Sequence, residues 1–275
     1  MYTLSEWQQI CSKISKRKIV TSNVIDAFRK ISVPGGELSK TLIIKHDVEC
    51  RPDLALKCAQ IEHDQGITAT YYFHGFFNQT PEHVEIMQRI QSLGHEVGFH
   101  YDVLDLCDGD YIKANALFSK TLEDFRLNGI NIYSICPHGN PLKVRCGWNS
   151  NKDFFKDVDI ANSYPHLFDI VNGVNVFDNV DYYSDAGYAL KSIGDIRDND
   201  KPSDQIDVKV SLDEVLDKDS VSILSVHTHR LCESKLVLRF VKARFGILRF
   251  SARLLSKSKF IKKLLSPLYT LTKRF

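Results

Sequence analysis

TLIIKHDVECRPDLALKCAQIEHDQGITATYYFHG (41–75) decides the fold class. It opens on a short apolar strand, TLIIKH (41–46), and passes into a helical stretch from Arg51 to Gln65 that stops at Gly66. It ends on a β-branched and aromatic strand, TATYYF (68–73). The alternation continues: Pro81–Ser92 reads as a helix with Gly94 as its stop, and HEVGFH (95–100) as a strand. Asp110–Leu127 is a helix closed by Asn128 and Gly129, and INIYSIC (130–136) is the next strand. Strands alternating with helices over short connections predict a parallel sheet with helices outside, either a barrel or a doubly wound sheet. Upstream, residues 4–31 read as helical and end near Pro34, Gly35 and Gly36. Downstream, 140–220 is rich in Asn, Asp and Tyr, with short candidate strands near 158–161, 174–177 and 190–193. SVSILSV (220–226) is a buried strand that leads to His227.

A chain of 275 residues, 43% hydrophobic and 25% charged, has the composition of a soluble globular protein and room for one α/β domain with an appendage. No apolar run reaches the roughly 18–20 residues needed to span a bilayer. The first twenty residues lack an apolar core followed by a cleavage site and read as mature sequence. Seven scattered cysteines without a CxxC pair point to reduced thiols in the cytosol, against a disulfide framework or a thiolate zinc site. The net charge of +2 hides an asymmetry: residues 235–275 hold 12 Lys and Arg and no acid, leaving 24 basic and 34 acidic residues elsewhere.

Polar residues crowd the C-terminal ends of the expected strands, the rim where parallel α/β folds build their sites. His46, Asp47 and Glu49 close the first, His74 follows the second, Glu96 and His100 lie on the third, His138 and Asn140 follow the fourth, and His227 and His229 close the last. Alternation along a strand lets Asp47 and Glu49 share one face, and Glu96, Gly98 and His100 another. A carboxylate and an imidazole converging on a point suit a divalent ion such as zinc, which lowers the pKa of water toward about 7. A second carboxylate could take a proton there, and His227 could protonate a departing amine. These parts describe metal-assisted hydrolysis of an amide or ester. His63, His83, His95 and His166 fit ordinary half-buried structural roles.

Over roughly residues 40–232 the chain resembles the polysaccharide deacetylases of carbohydrate esterase family four. KHDVE (45–49) is similar to the family's first motif, GHEVGFH (94–100) to its second, and ILSVHTH (223–229) to its fifth. PHGNP (137–141) and YYSDAGY (182–188) stand where the third and fourth belong. The resemblance implies a distorted (β/α) barrel of about seven βα units. It also implies Asp47 as catalytic base, Glu49 and His100 as metal ligands, and His227 as acid. Asp185 is either the partner orienting His227 or a turn residue before Gly187, and His229 is an alternative acid. Two departures stand out: Glu49 replaces the expected aspartate, and Leu104 occupies the position of the second ligand histidine. His138 is the first candidate for that missing ligand, Asp102 the next, with His74 or His46 behind.

The expected organisation is therefore an N-terminal helical segment (1–40), a deacetylase-like barrel (41–234) and a basic amphipathic tail (235–275). The substrate implied is an N-acetylated sugar or glycan. The tail, with apolar residues interleaved among its cations, points to an anionic membrane surface on the cytoplasmic side; no nucleic-acid motif accompanies the charge. The competing expectations are a catalytically degenerate relative that binds sugar or a partner protein, and an unrelated metal-dependent amidase or esterase.

Overall fold

The computed structural model describes residues 2–140, 143–185, 189–194, 196, 208–240 and 243. The chain begins with α1 (Leu4–Lys16), β1 (Val20–Ser22) and α2 (Val24–Ser32), followed by β2 (Thr41–Val48), α3 (Pro52–His63) and β3 (Thr70–Phe73). A 3-10 turn at Gly75–Gln79 leads to α4 (Pro81–Ser92), β4 (Glu96–Tyr101), the single turn α5 (Val103–Leu106), α6 (Tyr111–Leu127) and β5 (Ser134–Pro137). Then come α7 (Val158–Ser163), β6 (Phe168–Asp169), β7 (Asp181–Ser184), β8 (Lys191–Ile193), β9 (Val208–Lys209), α8 (Leu212–Leu216) and β10 (Ser222–His227).

The strands join one sheet in the order β6-β5-β4-β3-β2-β10-β7-β8-β9, with β1 also on β2. From β6 to β7 every pairing is parallel, whereas β8 and β9 run antiparallel. The expected distorted (β/α) barrel is corrected to an α/β fold on one large sheet. Among the described residues no pairing joins β6 to the other end of the sheet, so the sheet is open. Its far side is occupied by antiparallel β8 on β7, and β6 offers only two residues for pairing.

Central β2 is buried along its whole length, as a parallel strand covered on both faces must be. Its alternation assigns the two faces. Leu42, Ile44, His46 and Val48 point outward beneath helices, into a core that includes Trp7 of α1, Phe73, Phe99 and Phe118. Ile43, Lys45 and Asp47 point inward, where a smaller apolar cluster gathers Val24 and Ile25 of α2, Tyr72, Ile223, Phe168 and Phe177.

Local chemistry explains several boundaries. The expected single helix over 4–31 is two helices: Thr3 caps α1 in a reciprocal capping box with Glu6, and Asn23 caps α2 after β1 intervenes. The segment 158–161, expected as a strand, is the start of α7, because Asp157 accepts from the Ile160 amide and nucleates a turn. Residues 174–176 form a 3-10 turn instead of a strand, while the expectation near 190–193 corresponds to β8. No helix among the described residues is long and apolar enough to cross a membrane. Residues 235–240 are helical, with Leu236, Val237 and Phe240 exposed. Apart from residue 243, the rest of the basic tail lies outside the described residues.

Candidate active site

The inward face of the sheet is built in tiers. At the N-terminal end of β4, the Glu96 carboxylate accepts from the Thr70 and Ser134 hydroxyls, both at 2.6 Å, and from the Ile25 amide at 3.0 Å. One tier higher Gly98 leaves room for Tyr72, since a Cβ there would stand 2.5 Å from the tyrosine ring. The top tier, at the strand C-termini, holds Lys45, Asp47, His100, Cys136, Ser225 and His227. Its acids and imidazoles are almost wholly covered: Asp47 is 7%, Glu49 8%, His100 3% and Asp185 1% exposed.

His74, His100 and His138 come together from the ends of β3, β4 and β5. One ring nitrogen from each lies within 4.8 Å of the others, and the ring centroids are 4.7–5.1 Å apart. His100 Nδ1 stands 2.9 Å from the Cys136 carbonyl oxygen; a carbonyl only accepts, so Nδ1 carries the proton and Nε2 offers a lone pair. Burial pushes the His100 pKa down to about 4, against the opposing pull of Asp47, which keeps the ring neutral at pH 7. Three buried imidazoles presented in this way fit a first-row divalent ion, zinc included. Glu49 borders them, its Oε1 3.8 Å from His138 Nε2, and Asp102 Oδ2 lies 3.7 Å from His74 Nδ1.

On the opposite flank, His227 Nδ1 donates to Asp185 Oδ1 at 2.6 Å, and Arg230 donates to the same carboxylate oxygen at 3.0 Å. Burial alone would raise the Asp185 pKa, but the His227 and Arg230 contacts hold it below the usual carboxylate range. His227 Nε2 is thereby aimed at two acids, 3.8 Å from Asp47 Oδ2 and 3.9 Å from Glu49 Oε1. His229 Nε2 lies 4.0 Å from Glu49 Oε2, and burial pushes its pKa down to about 4.

Asp47 is bound to a residue that sequence reasoning passed over. Lys45 Nζ lies 2.6 Å from Asp47 Oδ1, with both side chains buried and the ammonium 5.3 Å from the Tyr72 ring centroid. Burial would raise the Asp47 pKa, yet Lys45, His100 and His227 hold it well below the carboxylate range. The signal was present in the sequence: Lys45 stands two residues before Asp47 and shares its face.

Other expected residues lie elsewhere. His46 points to the outer face, where Nε2 is 2.8 Å from Glu62 Oε1; Trp7 and Tyr71 donate to the same carboxylate. That group, with Cys58, is a hydrogen-bonded part of the core. Leu104 is fully buried in α5 within the outer apolar core and leaves no ligand at its position. Sequence reasoning also missed the network holding the loop after His138. Asp105 takes both Arg145 donors at 2.7–2.8 Å, Trp148 Nε1 at 3.0 Å and Asn151 Nδ2 at 3.0 Å, and Asn151 Nδ2 also donates to the His138 carbonyl at 2.9 Å.

No family model matches the chain, and no curated protein matches it. Among solved structures it is similar to a family 4 carbohydrate esterase from Streptomyces lividans in complex with acetate, at 12% identity and a TM-score of 0.40, over 68% of this chain and 78% of that one. It is similar to the catalytic domain of a peptidoglycan N-acetylglucosamine deacetylase from Eubacterium rectale at 14% and 0.40, over 77% and 86%. A mutant CE4 family pseudoenzyme with restored enzymatic activity matches at 12% and 0.41, over 77% and 63%. Likenesses of this size settle neither fold nor activity.

Proposed function

We propose that the chain is a metal-dependent carbohydrate deacetylase that hydrolyses an N-acetyl group of a sugar. The observation that carries this is the convergence, on one buried rim, of three imidazoles with the Lys45–Asp47 pair and the His227–Asp185 pair. His74, His100 and His138, with Glu49, would hold the divalent ion, zinc by the chemistry of its donors. When bound, the ion supplies a Lewis acid that polarises a carbonyl and acidifies water.

The protein's own groups supply the rest. Asp47, anionic at neutral pH, accepts the proton lost by the attacking water. Lys45 fixes its orientation. His227 donates from Nε2 to the departing amine, and Asp185 holds its tautomer and steadies the imidazolium, while His229, with its depressed pKa, is poorly suited to that role. The exposed apolar residues of 235–240 and the acid-free basic sequence that follows support a peripheral position on an anionic membrane surface. A cytoplasmic site beside such a surface suits a lipid-linked intermediate of surface polysaccharide synthesis; salt-sensitive binding of the full chain to anionic vesicles tests this.

The second hypothesis is a binder of sugar or a partner protein without catalysis. It is favoured by the Lys45–Asp47 contact, which makes Asp47 a weak base. Acetate release from N-acetylated sugars by zinc-reconstituted protein, measured against His227→Ala, separates the two. Release from wild type alone supports the enzyme; release from neither supports the binder.

A further inference from the structure

Asp185 stands one residue beyond β7, where strand phase no longer aims its side chain, yet the carboxylate is buried and faces His227. Arg230 supplies the constraint. Its Nη1 donates to two acceptors of that one residue, the Asp185 main-chain carbonyl at 2.7 Å and Oδ1 at 3.0 Å. A donor nitrogen shared by the main-chain and side-chain oxygens of one residue fixes the torsions between them. The His227 amide is 3.3 Å from both carboxylate oxygens and selects neither. Nη1 is also 3.2 Å from His227 Nδ1; both nitrogens donate, and Oδ1 is the acceptor they share.

Arg230 is itself held from the far end of the described chain. It closes the 3-10 turn Thr228–Arg230, with the Leu231 amide on the Thr228 carbonyl at 3.0 Å. The next residues pair with the segment that leads into α1. The Cys232 amide donates to the Tyr2 carbonyl at 3.1 Å, and the Leu4 amide donates to the Cys232 carbonyl at 2.9 Å. Thr3, Leu231 and Cys232 are buried in this junction.

We infer that Arg230 is a positioning residue for His227, acting through Asp185, and that residues 2–4 form the strap that holds it in place. Its effect on turnover rests on the deacetylase reading, whereas the geometry it imposes on Asp185 and His227 does not. The carboxylate oriented by Arg230 fixes the tautomer and plane of the imidazole, which keeps Nε2 toward Asp47 and Glu49. Lysine would bring the charge without the planar fork, and methionine would bring neither.

The test uses the full zinc-loaded chain with Arg230→Met, Arg230→Lys, Leu4→Pro and Leu4→Ala. Leu4 is the first residue of α1, where proline is tolerated; both Leu4 variants lose the side chain, and only Leu4→Pro also loses the amide that holds Cys232. Acetate release from a methyl glycoside of N-acetylglucosamine gives kcat and KM. Proton NMR follows the low-field His227 Nδ1–H resonance, assigned by its absence in His227→Gln. Arg230→Met should lower kcat at least about tenfold at unchanged KM and zinc content, and broaden the resonance through exchange with water. Arg230→Lys should recover part of both, Leu4→Pro should follow Arg230→Met, and Leu4→Ala should follow wild type. The Leu4 pair carries the test if Arg230→Met does not fold. A resonance absent from wild type, or as sharp in Arg230→Met as in wild type, overturns the positioning role, as does an unchanged kcat in an active enzyme. Leu4→Pro matching Leu4→Ala overturns the strap. A wild type that releases no acetate while its resonance still depends on Arg230 overturns the deacetylase reading alone.

Discussion

Replacing Asp105 with asparagine tests how His138 is held. The carboxylate accepts from Arg145 through both oxygens and from Trp148 and Asn151, and it is only 6% exposed, with the Arg145 side chain at 15%. Asparagine keeps one acceptor oxygen and turns an NH2 toward two of those donors. Breaking one partner of a buried ion pair costs about 3–5 kcal/mol. The retained oxygen places the expected loss near the bottom of that range, about 3 kcal/mol. With a urea m-value of about 3 kcal/mol/M, the unfolding midpoint should fall by about 1 M. Because Asn151 also donates to the His138 carbonyl, metal affinity should drop roughly 10-fold, as when a group that orients a ligand is lost. A midpoint shift below about 0.3 M, with metal affinity unchanged, would refute the view that Asp105 organises this loop.

Asp185→Asn removes the negative charge that steadies the His227 imidazolium and leaves an amide whose NH2 competes with its oxygen for the position facing Nδ1; deacetylation should fall by about 10²-fold or more while metal content holds, as read by steady-state kinetics with elemental analysis. Lys45→Met leaves Asp47 without the charge that depresses its pKa, so the acidic limb of the kcat/KM profile should move to higher pH. Glu62 is held below its ordinary value: burial opposes this, but His46, His95 and the Tyr71 hydrogen bond outweigh it. A depressed carboxyl contributes stability above its unfolded value of 4.5 and loses it as pH falls through the folded value. Glu62→Gln should therefore lower the urea midpoint strongly at pH 7 and progressively less as the pH is taken below 4.5.

The strands from β2 to β5 were legible because each is a buried apolar or aromatic run between helix stops. The faces of β2 and β4 followed from alternation, which put Asp47 and His100 on the site side. Height along a strand was not legible in the same way. Glu96 shares a face with His100, but four residues at about 3.3 Å each put it some 13 Å lower, among hydroxyls. His74 and His138 lie beyond their strand ends, where strand phase no longer fixes side-chain direction, so their meeting with His100 depends on tertiary structure. Openness of the sheet is likewise non-local, set by what pairs with β7. The misread 158–161 segment carries its helix signal in Asp157, outside the apolar run that suggested a strand.

The proposed site has three histidines, brought together from the ends of three strands, hold a catalytic divalent ion. The most direct measurement is zinc stoichiometry by elemental analysis of wild type, His74→Ala, His100→Ala and His138→Ala after reconstitution and desalting. Near-stoichiometric zinc is expected in wild type, with loss from each variant and folding checked by circular dichroism. Wild type that retains no zinc, cobalt, nickel or manganese, or folded variants that bind as the wild type does, would contradict it.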